Sequence, residues 1–470
     1  MMQNYRGIVT SVKRSTDPRD SLYTIVSTKA ISAKSALLME VNDIVDVVLE
    51  DRTITSVEVV GKASSDDSEK TLGRLVDELG IGHNANKVAG KYKERDYGGA
   101  LYRMAGALEG AALSLASAYL SGAPIIVRFH HDGDGSSGAV SLYRALLRIS
   151  EKLFVGQRGV SWVMHRGVDY DRESFYADTL ELKNYESSFR PVILISDFGT
   201  APGSVQQLGE ASGKATVIML DHHPPYASFP KDSVLYINPW DYGSDTNFTA
   251  GLLTSFFAET LCDVGTDDMK SASLISDFSA FADRSDDNAM RMAVILDYLT
   301  NVAGRSDSSI SRLTPAYIES VLSNKEKSDE IFYTASNTMN EMLDLGVKSV
   351  KPYRCKDGIT AFVLEFEALP KSDTGYPLPG RYSSRLQERL ESINGERTIT
   401  LMHYGGYITL RISKAISKEV GILKMIDEIA KSSDYEVSGG GHNEAASIRV
   451  DKSHIKGVVN TVLRKIGASL

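Results

Sequence analysis

Five short apolar runs between residues 125 and 237 constrain the fold of this chain more than any other feature. The runs are IIVRF at 125–129, VSWVM at 160–164, PVILIS at 191–196, ATVIML at 215–220 and SVLYI at 233–237. Helical periodicity at 138–151 and 203–210 separates some of them. Near-continuous Val, Ile and Leu strands with helical crossovers are typical of a parallel sheet covered by helices on both faces. The sequence therefore predicts an α/β domain with a doubly wound parallel sheet.

The segments on either side of this pattern predict further domains. Residues 1–62 contain four runs of β-branched residues, which indicates a small β module of the OB or S1 type. Tyr5 and Tyr23 in this module are either stacking groups or core residues. The polar stretch at 61–70 is interpreted as a linker.

The C-terminal half predicts a second, smaller α/β domain. The parallel-sheet domain is expected over 71–324, a connecting helix over 325–347 and the smaller domain over 348–470. The last domain has predicted strands and helices at 359–366, 382–393, 397–403, 406–412 and 454–467. A chain of 470 residues is long enough for several such domains.

Composition indicates a globular protein of a reducing compartment. The chain is 42% hydrophobic and 24% charged, and no apolar run is as long as a membrane span. Its two cysteines, Cys262 and Cys355, have no metal-ligand spacing, so we expect free thiols and a cytoplasmic location. The net charge of −9 means that any nucleic acid would have to bind a local basic patch.

The stretch RFHHDGDGSSGA at 128–139 permits two interpretations. Gly133, Gly135 and Gly138 fit the G-x-G-x-x-G spacing of a dinucleotide cradle. However, Asp132 and Asp134 lie in the same stretch, and two carboxylates repel a pyrophosphate unless a cation lies between them. The acid expected about 20 residues later is also missing, because His165 and Arg166 stand near that position. A metal site is therefore favoured over a dinucleotide site.

The ends of two later strands support the metal interpretation. The third strand is followed by Asp197, and the fourth by Asp221, His222 and His223. Because parallel strands present their carboxyl ends at one edge of the sheet, these side chains are expected to converge. Carboxylates mixed with imidazoles suit Mn²⁺ or Mg²⁺ better than Zn²⁺.

These motifs carry a resemblance. HHDGDG, ISDFG, LDHHPP and the distant SGGGHNEAAS are similar to the signatures of the DHH/DHHA1 phosphoesterase superfamily. The arrangement most resembles RecJ-like nucleases, especially archaeal forms, over about residues 95–470. The resemblance implies two divalent metal ions, Mn²⁺ foremost, that share one carboxylate.

The resemblance also implies roles for the acidic and histidine residues. His130 and Asp132 would bind the first metal, Asp134 and His222 the second, and Asp197 both. The spacing of His130, Asp132 and Asp134 in extended backbone agrees with His130 rather than His131 as the ligand. Asp221 is expected to orient the histidines, and His223 to contact the phosphate. A further ligand is expected among Asp277, Asp283, Asp286 and Asp287, and the family pattern favours Asp283.

In the C-terminal domain the resemblance implies contacts to substrate. Gly439, Gly440 and Gly441 are expected to form a loop whose N–H groups bind phosphate, with a further hydrogen bond from His442. Arg411 matches the family's substrate arginine, and Arg381 is a third expected contact.

The activity implied is exonucleolytic hydrolysis of single-stranded DNA or RNA to mononucleotides, associated with replication or repair. Single-stranded nucleic acid is the implied partner, with GINS or another replisome component beside it and no membrane. Two alternatives stay open: hydrolysis of short oligonucleotides or cyclic dinucleotides, and a replisome scaffold with little catalysis.

Overall fold

A computed structural model describes residues 3–51, 53–152, 160–225, 229–277, 279–303, 313–432, 436–441 and 443–468 of the chain. Contacts divide the chain into two compact units. The first comprises Met1–Thr300 and Arg312–Ser328, and the second Asn301–Ser311 and Asp329–Leu470. The N-terminal β module and the parallel sheet therefore belong to one unit.

The first unit begins with a β-barrel. Its strands are β1 (Gln3–Lys13), β2 (Leu22–Val26), β3 (Ala30–Lys34), β4 (Asp43–Glu50) and β5 (Thr53–Lys62). Pairing runs β1-β2-β3-β5-β4 and returns to β1, so the described strands close on themselves. The alternating β-branched residues fill the interior, where Tyr23 is only 1% exposed. Tyr23 is thus a core residue rather than a stacking group.

Three helices follow the barrel: α1 (Ser65–Leu79), α2 (Ala85–Lys91) and α3 (Gly98–Ser121). The predicted linker is shorter than expected, because α1 begins within it. Ser64 caps α1 through the N–H of Asp67, whose carboxylate accepts from the N–H of Ser64 in return. The sequence contains the residues of this capping box, but the polar composition of 61–70 led to the interpretation as a linker.

The parallel-sheet region alternates strands and helices, as the apolar runs predict. Its elements are β6 (Ile125–His130), α4 (Gly133–Lys152), β7 (Val160–His165), α5 (Arg172–Leu182), β8 (Tyr185–Ser187), β9 (Val192–Ser196), α6 (Val205–Ser212), β10 (Thr216–Leu220) and β11 (Leu235–Ile237). The described strands of the sheet are parallel in the order β11-β10-β9-β6-β7. The predicted fold class is therefore confirmed.

Strand β8 is not part of the parallel sheet but pairs with the barrel. It pairs antiparallel with β1, where Ser11 lies opposite Ser187. The hydroxyls of Thr10 and Ser11 donate to the carbonyls of Ser121 and Gly122 at the end of α3. These contacts explain why barrel and parallel sheet form one unit.

Five helices complete the connection to the second unit: α7 (Ala250–Leu261), α8 (Asp267–Ser276), α9 (Asp287–Val302), α10 (Pro315–Leu322) and α11 (Lys325–Ser349). All twelve residues of α7 are buried. Helix α11 corresponds to the predicted connecting helix, and the division between the units falls within it. No helix among the described residues is both long and apolar enough to cross a membrane.

The second unit is the smaller α/β domain. Its elements are β12 (Lys351–Arg354), β13 (Thr360–Glu365), α12 (Pro379–Asn394), β14 (Thr398–Tyr404), β15 (Tyr407–Ile412), α13 (Ser417–Val420), α14 (Ile422–Ser432), β16 (Val437–Gly441), β17 (Ala445–Val450) and α15 (Ile455–Lys465). The order of the described strands is β12-β13-β14-β15-β17-β16, in which only β13 and β14 pair in parallel.

A substitution at Gly122 tests how tightly the barrel packs against the end of α3. The φ of Gly122 is +74°, and a Cβ there would lie 2.1 Å from Oγ1 of Thr24. We expect Gly122→Ala to lower the free energy of unfolding by about 2–4 kcal/mol, because both the left-handed backbone and the clash are unfavourable. Urea unfolding measures this change.

Gly110 is the matched control on the same helix. A Cβ there meets nothing within 4 Å, so Gly110→Ala should leave stability unchanged or raise it by up to about 1 kcal/mol. Equal effects of the two substitutions would contradict the tight junction.

Candidate metal centre

Acidic and histidine side chains converge at the carboxyl ends of three adjacent strands. His130 ends β6, Asp197 follows β9, and His222 follows β10. The chain runs from β6 outward to β7 and then returns to β9 on the other side of β6. The direction in which the chain adds strands to the sheet therefore reverses between β6 and β9. Open α/β sheets bind ligands at such a reversal.

The first group of possible ligands comprises His130, Asp132 and Asp197. Nδ1 of His130 lies 2.9 Å from Oδ2 of Asp132 and 3.6 Å from Oδ2 of Asp197. Oδ1 of Asp132 accepts a hydrogen bond from the N–H of Gly135, so Asp132 also caps α4. The helix-capping role and a ligand role are thus compatible, since they use different oxygens.

Asp197 belongs both to the first group and to a further group that it forms with His222 and His223. It lies within ligand distance of His130 and Asp132 on one side and of His222 and His223 on the other. Its carboxylate is 3% exposed, and Oδ2 has no hydrogen-bond partner among the described residues. Its φ of +69° is uncommon for a residue other than glycine and marks a constrained turn. The backbone therefore holds this carboxylate between two sets of ligands.

The second group comprises Asp134, His222 and Asp277. Nε2 of His222 lies 3.4 Å from Oδ1 of Asp197 and 3.9 Å from Oδ2 of Asp134. Its other nitrogen, Nδ1, lies 2.9 Å from the carbonyl oxygen of Thr246. A hydrogen bond at Nδ1 leaves Nε2 as the atom that can bind a cation.

Asp134 is held by the start of α7. Its Oδ2 accepts from the N–H of Ala250 and its Oδ1 from the N–H of Gly251, each at 2.9 Å. The hydroxyl of Ser273 donates to the same carboxylate. Helix N-termini favour negative charge, so α7 stabilises Asp134 in a buried position.

The structure brings Asp277, rather than the favoured Asp283, to the second group. The Asp277 side chain is 37% exposed, and Oδ2 lies 3.8 Å from Nδ1 of His222. Asp283 lies at an exposed turn, where it accepts hydrogen bonds from the N–H and hydroxyl of Ser285. It belongs to none of the groups found among the described residues.

His223 is oriented by Asp221. Oδ1 of the fully buried Asp221 lies 2.8 Å from Nδ1 of His223, and Oδ2 accepts from the hydroxyl of Thr200. The His223 side chain is 49% exposed. Although burial raises the pKa of Asp221, the neighbouring His223 lowers it to about 2, so the carboxylate stays charged. Because Nδ1 of His223 faces Asp221, Nε2 on the opposite side of the ring points away from that carboxylate.

The electrostatics of the centre show an excess of negative charge. Burial and the charge of Asp197 raise the pKa of Asp134 well above its usual value. Burial also raises the pKa of Asp277 to about 6, although His222 opposes the shift. Burial lowers the pKa values of His130 and His222, but the surrounding carboxylates raise both well above normal. Without cations, the centre therefore retains protons that partly neutralise its carboxylates.

The donor set fits divalent cations. Ligand atoms within each group lie within 4.8 Å of one another. Two ligands of one ion, each about 2.0–2.6 Å away, can be separated by such distances. Carboxylate and imidazole donors suit Mn²⁺ or Mg²⁺. Oδ2 of Asp197, which accepts no hydrogen bond from the described residues, could donate an electron pair to a cation. His130, Asp132, Asp134, Asp197, His222 and Asp277 could therefore hold two ions.

Close helix packing explains the glycine spacing of α4. A Cβ at Gly133 would lie 2.3 Å from the hydroxyl oxygen of Ser276, and one at Gly135 would lie 2.5 Å from the carbonyl oxygen of His130. At Gly138 a Cβ would approach Thr254 on α7 to 2.9 Å. The glycines bring α4 against its neighbours and so place Asp132 and Asp134.

In the second unit, Gly439, Gly440 and Gly441 lie in β16 rather than in a loop. This strand is last in the described order and pairs with β17, where Gly441 lies opposite Ala446. A Cβ at Gly440 would meet nothing within 4 Å. The glycines thus give access to the backbone at an edge strand. His442 lies outside the described residues.

Arg411 lies on β15 in the same sheet. Three of its five N–H donors bind the hydroxyl of Ser384 and the carbonyls of Leu410 and Gly380, and the other two have no partner among the described residues. Burial and the nearby charge of Arg381 lower the pKa of Arg411 to about 10, although Tyr404 opposes the shift. Two cationic side chains therefore lie close together in this unit.

Several supporting residues were not identified from the sequence. Thr200, Thr246 and Ser273 bind Asp221, His222 and Asp134, respectively. Isolated Ser and Thr residues carry no spacing signal, so only the folded chain reveals them.

Asp277 and Asp283 give a direct test of the second group. We expect Asp277→Asn to weaken binding of one of two Mn²⁺ ions at least about tenfold, because it removes one charged ligand. Asp283→Asn should leave both affinities unchanged. Isothermal titration calorimetry measures the two affinities, and weaker binding in Asp283→Asn alone would contradict the assignment.

The same titration has an expected pH dependence. Mn²⁺ must displace the proton that Asp277 retains with a pKa of about 6. Affinity in the wild type should therefore fall as the pH decreases from 7 to 5. Asp277→Asn lacks this carboxylic proton, so its affinity should change less over the same range.

Sequence comparison identifies a relative of low identity. No model of a known protein family matches the chain. The chain is 22% identical over 406 residues to Uncharacterized protein MJ1198 of Methanocaldococcus jannaschii, which covers 74% of this chain and 52% of that protein. The chain thus spans about half the length of this curated relative.

Solved structures also resemble the chain. The DHH domain of PF0399, a member of the s1p family of ribosomal proteins, is 20% identical with a TM-score of 0.66, over 85% of this chain and 98% of that chain. RecJ of Thermus thermophilus in complex with Mn²⁺ is 18% identical with a TM-score of 0.47, over 76% and 54% of the two chains. The resemblance seen in the motifs is confirmed for the fold: this chain has the fold of a DHH-domain protein.

Proposed function

We propose that this chain is a metal-dependent phosphodiesterase that hydrolyses single-stranded DNA or RNA from an end and releases mononucleotides. The observation that carries the proposal is that Asp197 belongs to two ligand groups, one with His130 and Asp132 and one with His222 and His223. A carboxylate shared by two cations is the arrangement of two-metal hydrolysis of phosphate esters. The likeness to a DHH domain and the motifs similar to RecJ-like nucleases support this class of reaction.

The ligand groups assign parts to the residues of the chain. Cations bound there would polarise the phosphate oxygens and lower the pKa of an attacking water. Asp197 fixes the spacing of the two groups through its constrained backbone. His223 is held by Asp221, which itself accepts a hydrogen bond from Thr200, and would hydrogen-bond the phosphate. In the overall reaction the water oxygen bonds to phosphorus, the bond from phosphorus to the leaving oxygen breaks, and the leaving oxygen takes up a proton in place of the one that the water loses.

The second unit supplies the proposed strand contacts. Arg411 has two N–H donors without a described partner, and planar guanidinium groups pair well with phosphate. The charge of Arg381 disfavours the charged form of Arg411, and a bound phosphate would offset this repulsion. The exposed backbone of Gly439 and Gly440 would add N–H donors. His442 and a replisome partner such as GINS stay proposals from the resemblance.

The barrel offers little support for strand binding. Its described basic residues largely pair with carboxylates within 3.8 Å: Arg6, Lys13, Arg14, Arg19, Lys34 and Lys62. An electrostatic footprint for nucleic acid requires unneutralised positive charge. We therefore assign the barrel no substrate contact.

End-labelled single strands test the activity. With Mn²⁺, the wild type should release labelled mononucleotides from one end of DNA or RNA, and Asp197→Asn should lower the rate at least about 1,000-fold, because the shared ligand loses its charge. Asp283→Asn is the matched control and should retain the activity. Cleavage of short oligonucleotides or cyclic dinucleotides alone would move the chain to the small-substrate alternative.

The absence of hydrolysis by wild type on all these substrates would contradict the proposal and favour the scaffold alternative. Intact folding of Asp197→Asn is checked by circular dichroism, so that loss of activity is not loss of structure.

Arg411 tests the strand contact of the second unit. We expect Arg411→Ala to weaken binding of a single strand about tenfold in Ca²⁺, as measured by fluorescence anisotropy. The slope of log affinity against log salt should become shallower by about 0.7, since one phosphate contact is lost. Arg389→Ala, an exposed arginine of the same unit paired with Asp344, is the control. Identical slopes in the wild type and Arg411→Ala would exclude Arg411 as a phosphate contact.

A further inference from the structure

An exposed tryptophan lies beside the metal centre. Nε1 of Trp240 donates to the carbonyl oxygen of His222 at 3.0 Å, yet the side chain is 41% exposed. Most tryptophan surface is buried in folded proteins, and an exposed indole is commonly a binding group. One hydrogen bond thus links this indole to a residue of the second ligand group.

Hydrogen bonds hold the segment that carries Trp240 against His222 and His223. Asn238 is fully buried, accepts from the N–H of Trp240 and donates to the carbonyl oxygen of His223. Eight residues further along the chain, Thr246 accepts from Nδ1 of His222. The segment 238–246 therefore contacts His222 and His223 from both of its ends.

The turn itself is also fixed. Pro239–Tyr242 form a 3₁₀ turn that ends at Gly243, whose φ is +72°. Arg103 on α3 donates from Nε to the carbonyl oxygen of Tyr242 at 2.8 Å. A ligand that stacks on Trp240 would therefore meet a ring whose position is largely set before binding, which lowers the entropy lost on association.

We propose that Trp240 is a stacking platform for a nucleobase of the strand whose phosphodiester lies at the metal centre. The inference rests on the proposed function, since it takes the substrate to be nucleic acid. Base stacking on an aromatic ring tolerates any sequence because every base has a π-face. The platform would therefore favour nucleotide phosphodiesters over phosphate esters without a base, and it would not select one sequence.

Fluorescence measures stacking independently of hydrolysis. The sequence has two tryptophans, so in Trp162→Phe the indole emission comes from Trp240. We expect a ten-nucleotide adenylate strand in Ca²⁺ to quench this emission, and an abasic strand of equal length to leave it unchanged. Equal quenching by both strands, or none by either, would overturn the proposal.

Kinetics with Mn²⁺ test the same contact. Trp240→Ala should raise KM for a single strand about tenfold, equal to about 1.4 kcal/mol, and leave kcat within about twofold. Trp240→Phe retains a ring and should keep KM within about threefold. On strands with abasic sites at the terminal two nucleotides, wild type and Trp240→Ala should have equal KM.

Tyr317 on α10 is the matched control, because it is 38% exposed. Glu319 on the same helix pairs with Arg144 of α4. Arg144 lies about 16 Å along α4 from the metal centre. Tyr317→Ala should change no parameter. An unchanged KM in Trp240→Ala would overturn the stacking role even if the strand is hydrolysed.

The two proposals fail separately. Selective quenching by the base-containing strand without any hydrolysis by wild type would refute the exonuclease and uphold the platform. Retention of Mn²⁺ binding by Trp240→Ala, measured by calorimetry, verifies that the centre has kept its geometry.

Discussion

The mutual repulsion of carboxylates around Asp197 and His222 is the constraint on which the rest of the centre depends. Asp132, Asp134 and Asp197 come from two adjacent strand ends, and Asp277 follows α8. Bringing such charges together is unfavourable unless protons or cations neutralise them. Burial, together with the charge of Asp197, raises the pKa values of Asp134 and Asp277. Divalent cations bound there would remove this cost, and metal binding would then stabilise the first unit.

Three features of the fold hold the carboxylates and histidines of the centre in place. The parallel sheet supplies the positions, since β6, β9 and β10 end side by side. Glycines of α4 allow α7 and α8 to approach, so that the N-terminus of α7 can bind Asp134. Hydrogen bonds to Thr200 and Thr246 then orient the side chains of Asp221 and His222. Each feature restricts the conformations of the ligand side chains, and such restriction orients them for metal coordination.

The sequence predicted the parts of the fold that depend on local patterns. Runs of Val and Ile located the strands, and the residues directly after β6, β9 and β10 located most of the centre. In the sequence, Asp277 was only one of four acids considered as the further ligand. The position of its side chain in the loop between α8 and α9 is set by tertiary packing rather than by sequence spacing. Similarly, the glycines at 439–441 suggested a loop, although pairing with β17 makes them a strand. Tertiary pairing can override the low strand propensity of glycine.

Electron paramagnetic resonance of the Mn²⁺-loaded protein tests whether Asp197 bridges two cations. Two Mn²⁺ ions that share one carboxylate lie about 3.5–4 Å apart, and at such a distance their spins couple. We expect two bound ions per chain with a coupled spectrum, which Asp197→Asn converts to the spectrum of isolated Mn²⁺. A single uncoupled ion in the wild type would contradict the shared carboxylate and the mechanism that rests on it.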